Sequence, residues 1–470
     1  MTNDELQEFL DATAAELGVP GAVVGVVDGD HDLVAATGVG ALDTGARVTE
    51  RTLFQIGSTS KTFTGTVAMH LIEQGELDLE TRVVDVLPDF RLADADALAA
   101  LRVRHLLTHS GGFLGDADEQ PGWDDDALAR NIAGYSDLPQ FFAPGTIASY
   151  SNAGIRLLGR IIEVVTGAPF ERAVQRVILD PLGMTETFFF PWDVIGRPHA
   201  VGHVPGEDGA MTTFSSWPLT RDIGPEGGIV SSVRDQLTYA RFQMRGESAG
   251  AAPVTTATRR LMQQPQLTAG PPVDAIGFPW LLSRHGSARV VMHGGNIADT
   301  QLSEFVLAPD EDLAITVLTN SGSGKALGGK VIDWCFERLR GISRSAEQVD
   351  LRPLERLDEV VGRYDAGQWH YDVTRVGDAL EFDMVLREDI AALGIRRVRP
   401  CVCACGRTVR SSRTRTSPSG ASSTPRRAAP NCSTWVCVRS DDAEDRASSD
   451  TTNVEPSLVR ADQRPRETPE

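Results

Sequence analysis

"FQIGSTSKTF" spans residues 54–63, and the place of one lysine within it decides how the chain is read. Only three lysines occur in 470 residues: Lys61, Lys325 and Lys330. Lys61 stands three residues after Ser58, at the start of an apolar-periodic run that predicts a helix from Ser58 to Glu73, with Gly75 beyond its end. Residues three apart on a helix share a face, with Cβ atoms about 5–6 Å apart, so the Lys61 amine reaches the Ser58 hydroxyl. A serine hydroxyl is a poor nucleophile without an adjacent base. Lysine serves as that base only if its pKa falls from about 10.4 to near 7, a shift of about 4 kcal/mol that desolvation can supply. The helix N-terminus favours negative charge developing at the serine.

Two further stretches carry candidate chemistry. "PGTIASYSNAGIRLLGRIIEVVTG" (144–167) places Tyr150-Ser151-Asn152 in a polar loop before a helix whose Ile155, Leu158, Ile161, Ile162 and Val165 recur at helical spacing. Tyr150, one of five tyrosines, is a candidate proton shuttle, though alone it also reads as a loop tyrosine capping the core edge. His293-Gly294-Gly295 stands where a strand is expected to end. Paired glycines let backbone approach a ligand and offer N–H groups to an oxyanion, although a plain strand-to-turn exit fits the same residues.

The order of elements sets the fold class. An amphipathic helix over 3–17, with Leu6, Phe9, Leu10, Ala14 and Leu17 on one face, precedes a hairpin over 21–40. A mostly helical stretch occupies about 100–240. Strands follow in "ARVVMHG" (288–294), "SEFVLAP" (303–309) and "LAITVLTN" (313–320), then a closing helix over 325–341. This predicts an α+β fold over residues 1–342: one antiparallel sheet assembled from both ends, flanked by helices, with a helical subdomain beside it and the cleft between. Residues 343–395 read as a linker and the start of a small β domain that is expected to be incomplete.

Residues 396–470 read differently. Ten arginines and no acidic residue fall between 396 and 440, whereas the preceding 395 residues hold 31 basic and 56 acidic ones. Cys401-Val-Cys403-Ala-Cys405 lacks the usual metal-ligand loop. A disordered tail fits the Ser/Thr/Pro-rich composition. A slipped reading frame that cuts off the β domain fits the abrupt change best.

A net charge of −20 argues against nucleic acid and anionic membranes as partners. No run of 18 apolar residues occurs, and residues 1–46 carry nine carboxylates but no Lys or Arg, unlike a secretory leader. A cytoplasmic location is expected. Cys335 is the single cysteine in residues 1–400, so no disulfide framework is expected there. His105 and His109 have the spacing of a zinc pair but lack the Glu of H-E-x-x-H, and read as a helix end. "SGSGKALGGK" (321–330) fails the phosphate-loop frame. No cofactor and no metal are expected.

S-x-x-K, then Y-S-N about ninety residues on, then H-G-G on a late strand resembles the serine β-lactamase and penicillin-binding-protein superfamily, in its class C-like branch with esterases and D-aminopeptidases. "HLLTHSGGF" (105–113), "PLGMTETFF" (181–189) and "GPEGGIVSSVRDQLTYA" (224–240) also resemble that branch, so the likeness covers roughly residues 5–340. The resemblance implies a β-lactamase/transpeptidase-like fold with Ser58 as acylated nucleophile and Lys61 and Tyr150 sharing base and proton-return duty. It implies Asn152 bonding the lysine or a substrate carbonyl, an oxyanion hole from the N–H groups of Ser58 and Asn296, and substrate contacts from His293, Gly294 and Gly295.

One departure matters: His293 stands where antibiotic-hydrolysing and cell-wall-processing members carry the Lys of K-T-G. An imidazole that titrates near pH 6.5 binds a carboxylate more weakly than an ammonium does. The expected activity is therefore serine hydrolysis of small-molecule carboxylic esters or amides through an acyl-enzyme. A weak β-lactamase acting on a lactam, a D-amino-acid peptidase, or a catalytically silent binding protein are the alternatives.

Overall fold

In a computed structural model, described over residues 1–116, 122–206, 209–270, 273–344, 361–366, 369–376, 379–386, 401–403 and 438–439, the chain divides into two units. The first carries the described residues up to 344. Its sheet uses β1 (Gly21–Asp28), β2 (His31–Gly38), β3 (Leu267–Thr268), β4 (Ala275–Ile276), β5 (Leu281–His285), β6 (Ala288–Ile297), β7 (Gln301–Ala308) and β8 (Leu313–Thr319). The strand order is β2-β1-β8-β7-β6-β5-β4-β3, with every pairing antiparallel. The expected joining of the two ends occurs between β1 and β8, where Val24 faces Val317.

Five helices set the core: α1 (Asn3–Leu17), α2 (Ser60–Glu73), α3 (Asn152–Thr166), α4 (Val233–Arg245) and α5 (Gly324–Arg340). Successive strand side chains point to opposite faces. Val24 and Val26 accordingly join one core with Leu6 and Leu10 of α1 and Leu327, Val331 and Phe336 of α5. Val23 and Val27 join the other, with Leu237 of α4 and the helical part of the chain. Thr2 and Glu5 close a capping box at the start of α1, and Phe9 stacks on Trp334 at 4.4 Å.

The helical part positions the site. α2 is buried on all sides from Ser60 to Met69, as expected for a helix running through the middle of a domain. α3 begins where Ser151 Oγ accepts the Gly154 N–H at 2.9 Å and ends at Gly167, whose φ of +64° only glycine adopts freely. Its Ile155, Leu158, Ile161 and Ile162 are buried, as their spacing predicts.

The second unit is a small antiparallel sheet of β9 (Gly362–Ala366), β10 (Trp369–Val376) and β11 (Ala379–Leu386). Cys401–Cys403 pairs along β11, and Val438–Arg439 along β9. Residues 345–360, 387–400, 404–437 and 440–470 lie outside the described residues, and with them the three readings of the tail. Among the described residues no helix is long and apolar enough to cross a membrane.

Candidate active site

Ser58 sits in a one-turn 3₁₀ segment, Gly57–Thr59, and the α-helix proper starts at Ser60 rather than at Ser58. Gly57 makes the turn with φ of +51°. From Thr52 to Lys61 every residue is buried except Ser58, so the turn presents one hydroxyl. Strand β6 lies against it: a Cβ on Gly57 would stand 2.9 Å from the Asn296 amide nitrogen. Ser303 Oγ donates to the Ile56 carbonyl at 2.7 Å, tying β7 to the same turn.

His293-Gly294-Gly295 lies inside β6 and not at its end, which corrects the sequence reading. β5 stops pairing at Met292, while β7 stays paired as far as Ile297. Among the described residues no strand pairs with that edge of β6 from His293 onward. What ends here is the neighbouring strand.

Lys61 Nζ lies 2.9 Å from Ser58 Oγ and donates to the Glu226 carbonyl at 2.8 Å. The side chain has no exposed surface. Burial lowers its pKa to about 8, with the Glu226 and Asp116 carboxylates pulling upward and Arg156 pushing further down. The other two lysines do ordinary work: Lys325 pairs with Glu304 and Lys330 with Glu16, both partly exposed.

Tyr150 shares a hydrogen bond with Ser58, and Lys61 Nζ stands 4.9 Å from its ring centroid. Burial holds the phenol well above its ordinary pKa, against the pull of the Ser58 bond. His109 stacks on the Tyr150 ring at 4.6 Å. Its carbonyl accepts the Ser149 N–H at 2.7 Å and its Nδ1 accepts the Ser151 N–H at 3.1 Å, so the loop is held on both sides of the tyrosine. Read from sequence as part of a helix end, His109 was missed. The helix is Val103–Leu107, and only His105 serves it, accepting the Arg102 N–H at 3.2 Å. His109, with φ of +53°, turns away into the site. The Ser-Gly-Gly that follows it is the available signal, since such a run allows a sharp turn.

Of the two contacts expected of Asn152, the one to the lysine is not made. Asn152 Nδ2 donates to Asp116 Oδ1 at 2.7 Å, and the second bond of the lysine goes to the Glu226 carbonyl instead. His293 stays in the site but does not titrate near pH 6.5. Burial first, then the Lys61 charge, lowers its pKa to about 3. Its Nδ1 lies 2.8 Å from the Gly294 carbonyl.

The beta-lactamase family model matches residues 6–330. The chain belongs to the beta-lactamase family. It is 34% identical over 326 residues to penicillin-binding protein 4 of Amycolatopsis lactamdurans, covering 67% of this chain and 84% of that one. A beta-lactamase of Pseudomonas fluorescens is 32% identical over 244 residues, covering 51% of this chain and 65% of the other, so the match spans somewhat less than two thirds of that relative. D-amino acid amidase from Ochrobactrum anthropi SV3 shares the fold, with TM-score 0.61 and 23% identity over 72% of this chain and 99% of that one. The family is one of serine hydrolases with penicillin-binding and amidase neighbours.

In this beta-lactamase-family site a buried ion pair fixes the lysine's second partner. Arg156 Nε and Nη2 grip Glu226 Oε2 and Oε1 at 2.7 and 2.9 Å, and Asp222 stands 3.9 Å from the guanidinium while accepting from Asn131 at 3.1 Å. All four side chains are buried. Nothing in the residue types of the 224–240 stretch assigns Glu226 a role. A lone carboxylate among glycines, and an arginine on an otherwise apolar helix face, were the visible signs.

Proposed function

We propose that this member of the beta-lactamase family is a serine hydrolase that cleaves carboxylic esters or small amides through an acyl-serine intermediate on Ser58. The observation that carries the reading is the buried Lys61 amine, 2.9 Å from Ser58 Oγ with its pKa lowered to about 8. At pH 7 such an amine is neutral about one tenth of the time, enough for a base.

Ser58 Oγ attacks the substrate carbonyl while its proton passes to the Lys61–Tyr150 pair. The new oxyanion is met by the N–H groups of Ser58 and Asn296, each such donor typically worth about 10²–10³ in rate. The bond to the alcohol or amine breaks, and the leaving group departs with a proton from the same pair. Water then adds to the acyl-ester, gives its proton to the pair, and the carboxylic acid leaves as Ser58 regains its hydrogen. Asn152, His293, Gly294 and Gly295 contact the substrate in this reading.

A second reading, lactam or D-amino-acid amide hydrolysis, is favoured by the names of the relatives. A neutral His293 in place of a lysine weighs against lactams that carry a carboxylate. Labelling by a fluorophosphonate probe that is lost in Ser58→Ala tests the hydrolase. Turnover of p-nitrophenyl esters, simple p-nitroanilides, nitrocefin and D-amino-acid amides then ranks the substrates, and no turnover of the esters or the anilides would remove the first reading.

A further inference from the structure

A cavity that shares no residue with the Ser58 site has no part in the hydrolytic reaction. It holds about 340 Å³, within the about 300–1,000 Å³ range of small-molecule sites, and Glu80, Arg102, Arg104, His105 and Gly145 help to line it. Its lining is basic in a chain whose net charge is −20. Arg102 and Arg104 share one carboxylate, Glu80, and no other acidic side chain pairs with either among the described residues. Arg104 donates to that carboxylate through Nη1, and Arg102 spends an N–H on the Glu80 carbonyl at 3.2 Å. Each guanidinium carries five N–H donors, so most of both forks is left over. Glu80 is more than half exposed, where such a pair is worth little, so it does not seal off the two cations.

His105 supplies a third donor. Its Nδ1 accepts the Arg102 N–H at 3.2 Å, which in a neutral ring puts the hydrogen on Nε2. Burial, then the Arg104 charge, lowers its pKa, so the ring is mainly neutral at pH 7. Nε2 has no partner among the described residues, yet the buried unpaired ring nitrogens are those of His109, His285 and His293 and not this one. It stands beside Gly145, where an added Cβ would lie 3.0 Å away, so the absent side chain leaves room next to the N–H.

We propose that this cavity binds a phosphate group, free or carried as a small monoester, through Arg102, Arg104 and the His105 Nε2–H. Phosphate offers three oxygens to three donor groups and meets a guanidinium fork two oxygens at a time. A carboxylate has two and leaves one donor group unmet. Repulsion from the acidic remainder of the chain is screened beyond about 8 Å at physiological salt. The site assumes nothing about the reaction at Ser58, although it abuts the loop that carries Tyr150. The Ser110 N–H donates to the His105 carbonyl and the Gly145 N–H to the Ser110 carbonyl, both at 2.8 Å, so the cavity wall continues into His109 and that loop.

The test is calorimetric titration of the full chain at pH 7 and constant ionic strength with glycerol 3-phosphate, inorganic phosphate, malonate and glycerol. Both phosphates are expected to bind at least tenfold more tightly than malonate, and glycerol not at all. Tighter binding of glycerol 3-phosphate than of inorganic phosphate supports the site with a monoester as occupant, and equal binding supports it with the free ion. Arg104→Met is expected to weaken both at least tenfold. Glu80→Gln, which removes the competing carboxylate, is expected to tighten both at least threefold, a gain that misfolding cannot imitate. Failure of both phosphates to bind the wild-type chain overturns the inference, and so does malonate binding as tightly as phosphate. An affinity for phosphate that Arg104→Met leaves unchanged places the anion elsewhere and overturns it too.

Discussion

Lys61 Nζ is held between Ser58 Oγ at 2.9 Å and the Glu226 carbonyl at 2.8 Å. The carbonyl orients the amine without supplying a full negative charge, so burial decides its proton affinity. The neutral amine is the base, and proton loss switches it on. kcat/KM for an ester is therefore expected to rise with pH through an apparent pKa of about 8 and to fall off below it. Lys61→Ala is expected to lose about 10³-fold or more and to lose that limb. A profile flat from pH 6 to 9 in the wild-type chain counts against Lys61 as the base.

Glu226 tests the same electrostatics from the side-chain end. Its carboxylate raises the Lys61 pKa while Arg156 lowers it. Glu226→Gln keeps the backbone carbonyl and removes the charge, leaving Arg156 less compensated. The acid limb of the pH profile is expected to move below 8. Breaking a buried pair also costs about 3–5 kcal/mol, which urea denaturation will register as a lower midpoint. A limb that moves upward contradicts the assignment.

His109 is a positioning residue for Tyr150. His109→Phe keeps a ring against the phenol but removes the acceptor for the Ser151 N–H. Small misplacement of a proton-transfer group costs rate more than binding. kcat is expected to drop about 10–100-fold with KM little changed, and His109→Asn to recover part of the loss through its side-chain oxygen. Equal losses in both variants, matched by loss of thermal stability, would reduce His109 to a packing role.

How much of this was legible in the sequence follows from what each residue contacts. Ser58 and Lys61 are three positions apart on one local element, so helical geometry alone brings them together. The β1–β8 closure was legible because both strands are apolar runs with nowhere else to be buried. The Glu226 carbonyl contact joins residues 165 positions apart, and a backbone atom leaves no residue-type signature. His109 was hidden by a helix that ends two residues before it, and the bond from Asn152 to Asp116 by the 36 positions between them.

Gly295 makes the last test, because it concerns close approach alone. A Cβ there would lie 1.9 Å from the Ile56 carbonyl oxygen and 2.6 Å from Ser303 Oγ, distances no packed side chain tolerates. Ile56 precedes Ser58 by two residues, and Asn296 follows Gly295 directly, so relief of the clash moves the nucleophile away from an oxyanion donor. Gly295→Ala is expected to lower kcat at least 100-fold and to slow fluorophosphonate labelling in step. Gly329→Ala, in α5 with nothing within 4 Å of the added carbon, is the control and is expected to keep full activity with equal or higher thermal stability. Should Gly295→Ala retain wild-type kcat, strand β6 does not fix the geometry of the serine turn.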